Sequence, residues 1–182
     1  MRELSLHILD IAQNSIKAEA ECLRIAIIES HEEDRLVIKI KDDGTGMDQA
    51  TKEKVVDPFY TSRTTRKVGL GIPMFKQNAE MCDGSFELLS TLGIGTEITA
   101  VFSIKHIDRV PLGSMADTIM TIVSANQSMD LIYTHDCDGN NFCLNTKEIR
   151  KHLDGIPLDN VDVLLWIKEY VRDGLEEIGS RV

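Results

Sequence analysis

Two polar residues near the N-terminus could act together in chemistry, because their spacing places them on one face of a helix. Asp10 and Asn14 are four residues apart, which on a helix brings their Cβ atoms to about 5 to 6 Å. An amide oxygen is a hard ligand suited to Mg²⁺, and a carboxylate can orient or deprotonate a water or a hydroxyl group. Asn14 is therefore a candidate metal ligand and Asp10 a candidate catalytic group. The alternative is a solvated helix face on which neither side chain has a function.

Two glycine-containing motifs form a second group of candidates. Asp42-Asp43-Gly44-Thr45-Gly46-Met47 follows a strand-like run. Glycine there lets the backbone approach a planar ligand, and a carboxylate at a strand end can accept a hydrogen bond from an exocyclic amine. Gly93-Ile94-Gly95-Thr96 lies beside another strand-like run and adds a hydroxyl group. Taken alone, the first motif is an ordinary turn and the second an ordinary strand connection.

A third motif carries positive charge. Lys67-Val68-Gly69-Leu70-Gly71 leads into a predicted helix, whose exposed N-terminal amides favour phosphate. Arg63, Arg66 and Lys67 form the densest local group of positive charge in a chain that is acidic as a whole. Such groups suit a polyphosphate, so this segment predicts the phosphate side of the same pocket.

Together these motifs resemble, in order, the sequence boxes of the ATPase superfamily that contains gyrase, Hsp90-type chaperones, histidine kinases and mismatch-repair ATPases. Residues 9–18 resemble its N box and residues 42–47 its G1 box. Residues 57–63 resemble the F box and the start of the ATP lid, 67–71 the G2 box, and 93–96 the last box. The resemblance covers about residues 3–104 and is nearest to a stand-alone histidine-kinase-type ATP-binding domain.

The resemblance implies ATP and Mg²⁺ as ligands. It assigns Asn14 to the metal, Asp42 to the adenine amine, and Thr96 to a water shared with Asp42. Asp10 stands where the hydrolytic and anti-sigma branches have a catalytic glutamate. The nucleotide-binding residues expected on this basis are Asn14, Asp42, Gly44, Gly46, Met47, Thr61, Arg63, Lys67, Val68, Gly69, Leu70, Gly71 and Thr96.

Three departures from the family pattern shape the expected activity. Asp10 is one methylene shorter than glutamate, so we expect slow or partner-dependent turnover. Lys67 replaces the glycine that usually begins the G2 box, which stiffens the lid and offers a charge to the phosphates. Histidine kinases normally carry their phosphoacceptor histidine in a helical segment before this domain, and only 13 residues precede Asn14. We expect His7, in this short stretch, to belong to the packing or the pocket rim.

The expected function is phosphoryl transfer from ATP to an unidentified partner protein in trans. The alternative is a nucleotide-dependent regulatory switch, or a slow ATPase without protein-kinase activity. A dimeric ATPase of the DNA-repair type is the least favoured alternative, and a homodimer stays open.

The apolar pattern predicts the elements that must position these residues. An amphipathic helix is predicted over 3–21, carrying Asp10 and Asn14. Further helices are predicted over 48–56 and 70–81, and strands over 22–29, 35–41, 86–90 and 97–104, of which the first two form an antiparallel pair. This order predicts an α/β two-layer sandwich, in which a mixed, mainly antiparallel sheet is covered on one face by helices.

The C-terminal annex, residues 105–182, follows the predicted ATP-binding domain of residues 1–104 and matches no family part that we can identify. Helices are predicted over 114–126 and 160–178, with a hairpin at Asp138-Gly139 and a short helix ending near Gly155 between them. We expect Trp166 of the last helix to lie in the core. His135, Cys137 and Cys143 are soft metal ligands, but their spacing matches no common zinc pattern.

Composition excludes several classes of function. Twenty basic and thirty acidic residues give a net charge of −10, which repels nucleic acid and anionic lipid at long range. The longest uncharged stretch, residues 118–129, is too short and too polar to span a membrane. The N-terminus lacks the pattern of a secretory signal, and the four cysteines form no CxxC pair. We therefore expect a cytoplasmic protein with free thiols.

Overall fold

A computed structural model describes residues 2–57 and 71–181 of the chain. Its helices are α1 (Leu4–Lys17), α2 (Gln49–Val55), α3 (Gly71–Met81), α4 (Met115–Ala125), α5 (Thr146–His152) and α6 (Val161–Glu177). Its strands are β1 (Cys22–Ser30), β2 (Arg35–Asp42), β3 (Ser85–Thr91), β4 (Gly95–Phe102), β5 (Asp130–Cys137) and β6 (Asn140–Asn145).

The first helix carries a buried apolar stripe on one face and ends earlier than its sequence pattern predicts. Leu4, Ile8 and Ala12 are fully buried, at the spacing of one helical face. The helix ends at Lys17 instead of near residue 21, because Glu19 adopts a left-handed conformation with φ 56°. The chain turns there and enters β1, which brings the last turn of α1 over the end of β2.

A six-stranded sheet with the order β3-β4-β2-β1-β5-β6 forms one layer. All neighbours are antiparallel except β1 and β5, which are parallel. The predicted antiparallel pairing of the first two strands is confirmed, with Ile25 opposite Ile40 and Ile27 opposite Ile38. These four residues are buried, as the period of two in a strand requires for one covered face.

Helices cover that face of the sheet. Helix α1 packs against α3 on one side and α4 on the other, and α4 packs against α6. The predicted fold class, a two-layer sandwich with a mixed and mainly antiparallel sheet, is confirmed. Strand β4 ends at Phe102, two residues before the predicted end, where Ser103 leaves the ladder and its hydroxyl donates to Asp34.

The C-terminal annex continues the same two layers. The boundary predicted after residue 104 falls between β4 and α4, and β5 then pairs with β1 along its length, from Cys22 opposite Asp130 to Glu29 opposite Cys137. The predicted hairpin at Asp138-Gly139 is confirmed as the turn between β5 and β6. Residues 105–182 therefore extend the sheet that residues 1–104 begin.

The prediction that Trp166 of the last helix lies in the core is wrong. Trp166 is 48% exposed and stacks on Tyr170, with ring centroids 5.2 Å apart. The buried stripe of α6 runs through Val163, Ile167 and Val171, and Trp166 precedes one of these positions by a single residue, about 100° around the helix. Among the described residues, no helix combines the length and the apolar character that a bilayer crossing requires.

Candidate functional site

A cleft of about 310 Å³ opens between α1 and the ends of β2 and β4. This volume lies at the lower end of the range for small-molecule pockets. Five of the residues predicted to bind a ligand line the cleft: Asn14, Asp42, Gly46, Met47 and Thr96. Apolar side chains of Ile11, Val55, Ile72 and Ile98 complete its wall, so polar groups face a mostly apolar space.

The carboxylate of Asp42 is held from three directions. Its Oδ2 accepts a hydrogen bond from Ser15 Oγ at 2.6 Å, and its Oδ1 accepts from the backbone N–H groups of Gly44 and Thr96 at 3.0 and 3.2 Å. The helix, the strand end and the neighbouring strand β4 thus fix one carboxylate at the base of the cleft. Sequence reasoning did not identify Ser15; its place among the apolar residues of α1 is the one sequence signal, and the structure shows that it is buried.

Glycine is required in the loop that follows Asp42. Gly46 has φ 63°, and a Cβ atom there would lie 2.0 Å from the carbonyl oxygen of Thr91. At Gly44 a Cβ would lie 2.7 Å from the carbonyl oxygen of Ala18, at the end of α1. The loop therefore lies directly against the β3–β4 hairpin and against α1, and this close approach shapes one side of the cleft.

Ser90, which the sequence did not reveal as important, organises the polar groups beside this loop. Its hydroxyl donates to the carbonyl of Gly95 at 3.0 Å and accepts from the backbone N–H of Met47 at 2.8 Å. It also lies 2.9 Å from Thr96 Oγ1. Because Ser90 has a single hydroxyl proton, Thr96 is the donor in that contact. The lone pairs of Thr96 Oγ1 then remain available to accept a hydrogen bond from a ligand or a water.

Asp10 lies one turn before Asn14 on α1, against the first residue of α3. A Cβ atom on Gly71 would lie 2.0 Å from Asp10 Oδ2, so any larger residue at this position would displace the carboxylate. Asp10 Oδ2 is buried and has no hydrogen-bond partner among the described residues. The Asn14 side chain also makes no hydrogen bond within residues 2–57 and 71–181. A buried polar atom without a partner costs free energy, so this pair fits a ligand better than a purely structural role.

His7 is part of the packing around these groups. Its ring is fully buried and stacks on Phe75, with Nδ1 3.3 Å from the carbonyl oxygen of Gly71 and Nε2 3.0 Å from Asn78 Nδ2. Burial lowers the pKa of His7 below its ordinary value of 6.5, because desolvation disfavours the charged imidazolium. The expectation that His7 belongs to the packing is confirmed.

Several predicted binding residues lie outside the described residues: Thr61, Arg63, Lys67, Val68, Gly69 and Leu70. The geometry of the cleft therefore comes from α1, the loop after β2, the start of α3 and strand β4. A fixed carboxylate and a free amide around an apolar space, with an unpaired carboxylate oxygen one turn earlier on α1, suit a ligand with a planar base and a bound divalent cation.

The chain is similar in sequence to sensor proteins and kinases. It is 30% identical over 109 residues to a sensor protein of Shewanella frigidimarina, covering 59% of this chain and 17% of that protein. It is 29% identical over 93 residues to sensor histidine kinase YvrG of Bacillus subtilis, which covers 49% of this chain and 16% of that kinase. For sporulation kinase D of the same organism the identity is 29% over 98 residues, which covers 54% of this chain and 19% of that kinase. The chain therefore spans less than a fifth of the length of each of these relatives.

A family match covers the part of the chain that builds the cleft. Residues 2–106, more than half of the chain, match the family described as histidine kinase-, DNA gyrase B-, and HSP90-like ATPase. This match confirms the resemblance seen in the sequence boxes, and it contains α1, the loop after β2 and strand β4. The chain therefore belongs to the histidine kinase-, DNA gyrase B- and HSP90-like ATPase family, and residues 2–106 are an ATP-binding domain of the histidine-kinase-like type.

Proposed function

We propose that this protein transfers a phosphoryl group from ATP to a partner protein, with Asn14 as the Mg²⁺ ligand and Asp10 as the group that positions the acceptor. One observation carries the proposal. On one face of α1, Asp10 Oδ2 is buried without a hydrogen-bond partner among the described residues, one turn from an amide that makes no hydrogen bond there. Both oxygens are hard ligands or acceptors of the kind that Mg²⁺ and a reacting hydroxyl group or water require.

The other cleft residues have binding roles in this proposal. Asp42 accepts the exocyclic amine of adenine, and its hydrogen bonds to Ser15, Gly44 and Thr96 hold it in one orientation before the nucleotide arrives. Thr96 Oγ1 accepts a hydrogen bond from a water shared with Asp42. Gly46 and Met47 lie beside the base. Bound Mg-ATP supplies the electrophilic phosphorus, and the chain's own residues bind and orient it.

The phosphate side of the site is assigned to the segment before α3. In this proposal the backbone amides of Val68, Gly69, Leu70 and Gly71, with Thr61, Arg63 and Lys67, hold the phosphates. Support comes from Gly71, where α3 begins beside Asp10. A helix N-terminus attracts negative charge, which would bring the phosphates to the position where Asp10 and Asn14 project from α1.

The proposal is tested by incubating the full chain with labelled ATP, Mg²⁺ and an extract of its native host. Label transferred to another protein supports the proposal. Asp10→Asn should retain ATP affinity and lower transfer by about 10²- to 10⁴-fold, the range for positioned acid–base groups. The exposed Asp159→Asn is the matched control and should transfer at the normal rate. Normal turnover of the Asp10 variant would remove Asp10 from the mechanism.

A second candidate is a nucleotide-dependent switch, in which ATP changes how the C-terminal annex binds a partner and hydrolysis is slow. The contact of α4 with α1 favours it, since the helix that carries Asn14 packs directly on the annex. ATP-dependent protection of α4 and α6 in hydrogen exchange, with free phosphate as the sole labelled product, would support the switch. Transfer of label to a protein would support kinase action.

A further inference from the structure

A second group of polar residues lies at the opposite end of β1 from the nucleotide cleft. Glu29 is near the end of β1, His31 begins the turn that follows, and Cys137 is the last residue of β5. The parallel register places Glu29 opposite Cys137. A carboxylate oxygen of Glu29, a ring nitrogen of His31 and the sulfur of Cys137 all lie within 4.8 Å of one another.

The buried neighbours of Glu29 hold its carboxylate in one orientation. Glu29 is fully buried, and its Oε1 accepts hydrogen bonds from His135 Nε2 and Ser180 Oγ, both at 2.5 Å. His135 Nδ1 lies 2.6 Å from the hydroxyl oxygen of Tyr133, which fixes the imidazole. Among the described residues, Oε2 has only the weak thiol donor of Cys137, at 3.7 Å. Oε1 thus accepts two hydrogen bonds from the protein, and Oε2 faces the sulfur of Cys137.

His31 is oriented in the way that metal-binding histidines usually are. Asp138 accepts from the backbone N–H of His31 at 2.8 Å and contacts ring Nδ1 at 2.9 Å. A carboxylate that holds one imidazole nitrogen fixes the ring and raises the basicity of a metal-binding histidine. The His31 side chain is 41% exposed, so an ion can reach the group from solvent although Glu29 and Cys137 are buried.

We propose that Glu29, His31 and Cys137 bind one Zn²⁺ ion, with the fourth coordination position open to water. Oxygen, nitrogen and sulfur ligands together match the preferences of Zn²⁺, and three protein ligands with one open position are a common zinc arrangement. Binding breaks the S–H bond of Cys137 and forms a Zn–S bond, and the proton passes to solvent. Mg²⁺ prefers oxygen ligands, so the nucleotide's metal does not compete for this site.

The position of the site gives a bound ion a structural effect. Zinc binds the thiolate form of cysteine, so binding releases the thiol proton of Cys137. A bound ion would join the turn after β1 to the end of β5, and so connect the annex to the ATP-binding domain.

Zinc titration of the full chain after removal of metals by a chelator tests the proposal. We expect one equivalent of Zn²⁺ to bind in the presence of excess Mg²⁺, and Co²⁺ in its place to give the absorption band of a cobalt–thiolate bond. Cys137→Ser should lose that band and bind zinc at least about tenfold more weakly. Cys143→Ser is the matched control, because Cys143 is exposed and faces away from Cys137.

Two further variants keep the test decisive. His31→Ala changes a partly exposed residue outside the strands, so the variant protein should keep its fold. This variant should bind zinc more weakly and keep the cobalt–thiolate band. Asn14→Ala should bind zinc normally, which separates this site from the nucleotide cleft. Absence of zinc binding in the unaltered chain would overturn the proposal, as would normal zinc binding by Cys137→Ser or loss of binding in Cys143→Ser.

Discussion

The two ends of the β1–β2 pair present two hydrogen-bonded carboxylates in different surroundings, a half-buried Asp42 and a fully buried Glu29. The strands pair from Leu23 opposite Asp42 at one end to Ser30 opposite Arg35 at the other. Asp42 faces a cleft of about 310 Å³, whereas Glu29, near the far end, is fully buried beneath the C-terminal residues of the chain. Both carboxylates accept hydrogen bonds from neighbouring residues, so the surroundings of each carboxylate distinguish the two ends.

The difference lies in the polar atoms around each carboxylate. The amide of Asn14, which lines the cleft with Asp42, has no hydrogen-bond partner among the described residues. The same holds for the buried Oδ2 of Asp10, one turn earlier on α1. Around Glu29, the rings of His135 and Tyr133 are connected to each other and to the carboxylate. Unpaired polar atoms leave room for a ligand, whereas the network around Glu29 holds its Oε1 and leaves Oε2 toward the sulfur of Cys137. Four substitutions test the different roles of these residues.

Asn14→Ala should have the largest effect. It removes the amide oxygen expected to bind the metal, so the magnesium-dependent part of ATP binding should disappear while the fold is retained. Isothermal titration calorimetry with and without Mg²⁺ measures this. Asn140→Ala, at the exposed first residue of β6, is the control. An unchanged magnesium dependence in the Asn14 variant would contradict the assignment of the cleft.

Glu29→Ala should affect stability and leave the nucleotide cleft intact. Removing one partner of a buried, hydrogen-bonded pair costs about 3 to 5 kcal/mol, and His135 and Ser180 would lose their acceptor. Urea unfolding in buffer with a chelator measures the loss. Ser180→Ala, which removes one hydrogen bond to a charged group, should cost about 1.5 to 3 kcal/mol. Unchanged stability in both variants would mean that the network does not anchor the annex.

Asp42→Asn should weaken ATP binding by about tenfold to a hundredfold, since hydrogen bonds to charged groups contribute about 1.5 to 3 kcal/mol. An amide in place of the carboxylate turns one acceptor oxygen into a donor, which conflicts either with the hydroxyl donor of Ser15 or with the N–H donors of Gly44 and Thr96. The neighbouring Asp43→Asn is the control, because Asp43 accepts from the backbone of Glu21 and Cys22 outside the cleft. Equal ATP affinity in the two variants would contradict the role of Asp42.

A smaller effect should appear in the pH dependence of stability. Burial lowers the pKa of His7 below 6.5 in the folded protein, so the unfolded chain binds protons more readily below that pH. Neutral His7 contributes to the free energy of unfolding above pH 6.5, and this contribution decreases as the pH falls below that value. Urea midpoints at several pH values should fall less steeply on acidification in His7→Phe than in the unaltered chain. The exposed His152→Phe should keep the original slope.

Much of the ATP-binding part could be predicted because its signals are local. Residues four apart on a helix share a face whatever surrounds them, so Asp10 and Asn14 could be paired from spacing. The glycines after Asp42 could be identified because backbone approach depends on the absence of a side chain. Ser15 and Ser90 could not be assigned in the same way, because their hydrogen bonds join residues that are distant in sequence.

The position of the C-terminal annex in the sheet was harder to predict, because it also depends on residues that are distant in sequence. Its helices and its hairpin follow from apolar spacing and an Asp-Gly turn, yet β5 pairs in parallel with a strand about a hundred residues earlier. Parallel neighbours are connected by long crossovers, so nothing within residues 105–182 specifies β1 as the partner. Trp166 shows the same limit, since the amphipathic pattern of α6 did not show on which side of the buried stripe its ring would lie.

The order of the elements, the family boxes and the faces of α1 could be derived from the chain alone, because each depends on neighbours within a few residues. Packing of distant segments places Ser15 and Thr96 on Asp42, Gly71 beside Asp10, and Glu29 against Cys137. Local propensity does not specify these contacts, because hydrogen bonds and burial depend on which surfaces come together when the chain folds.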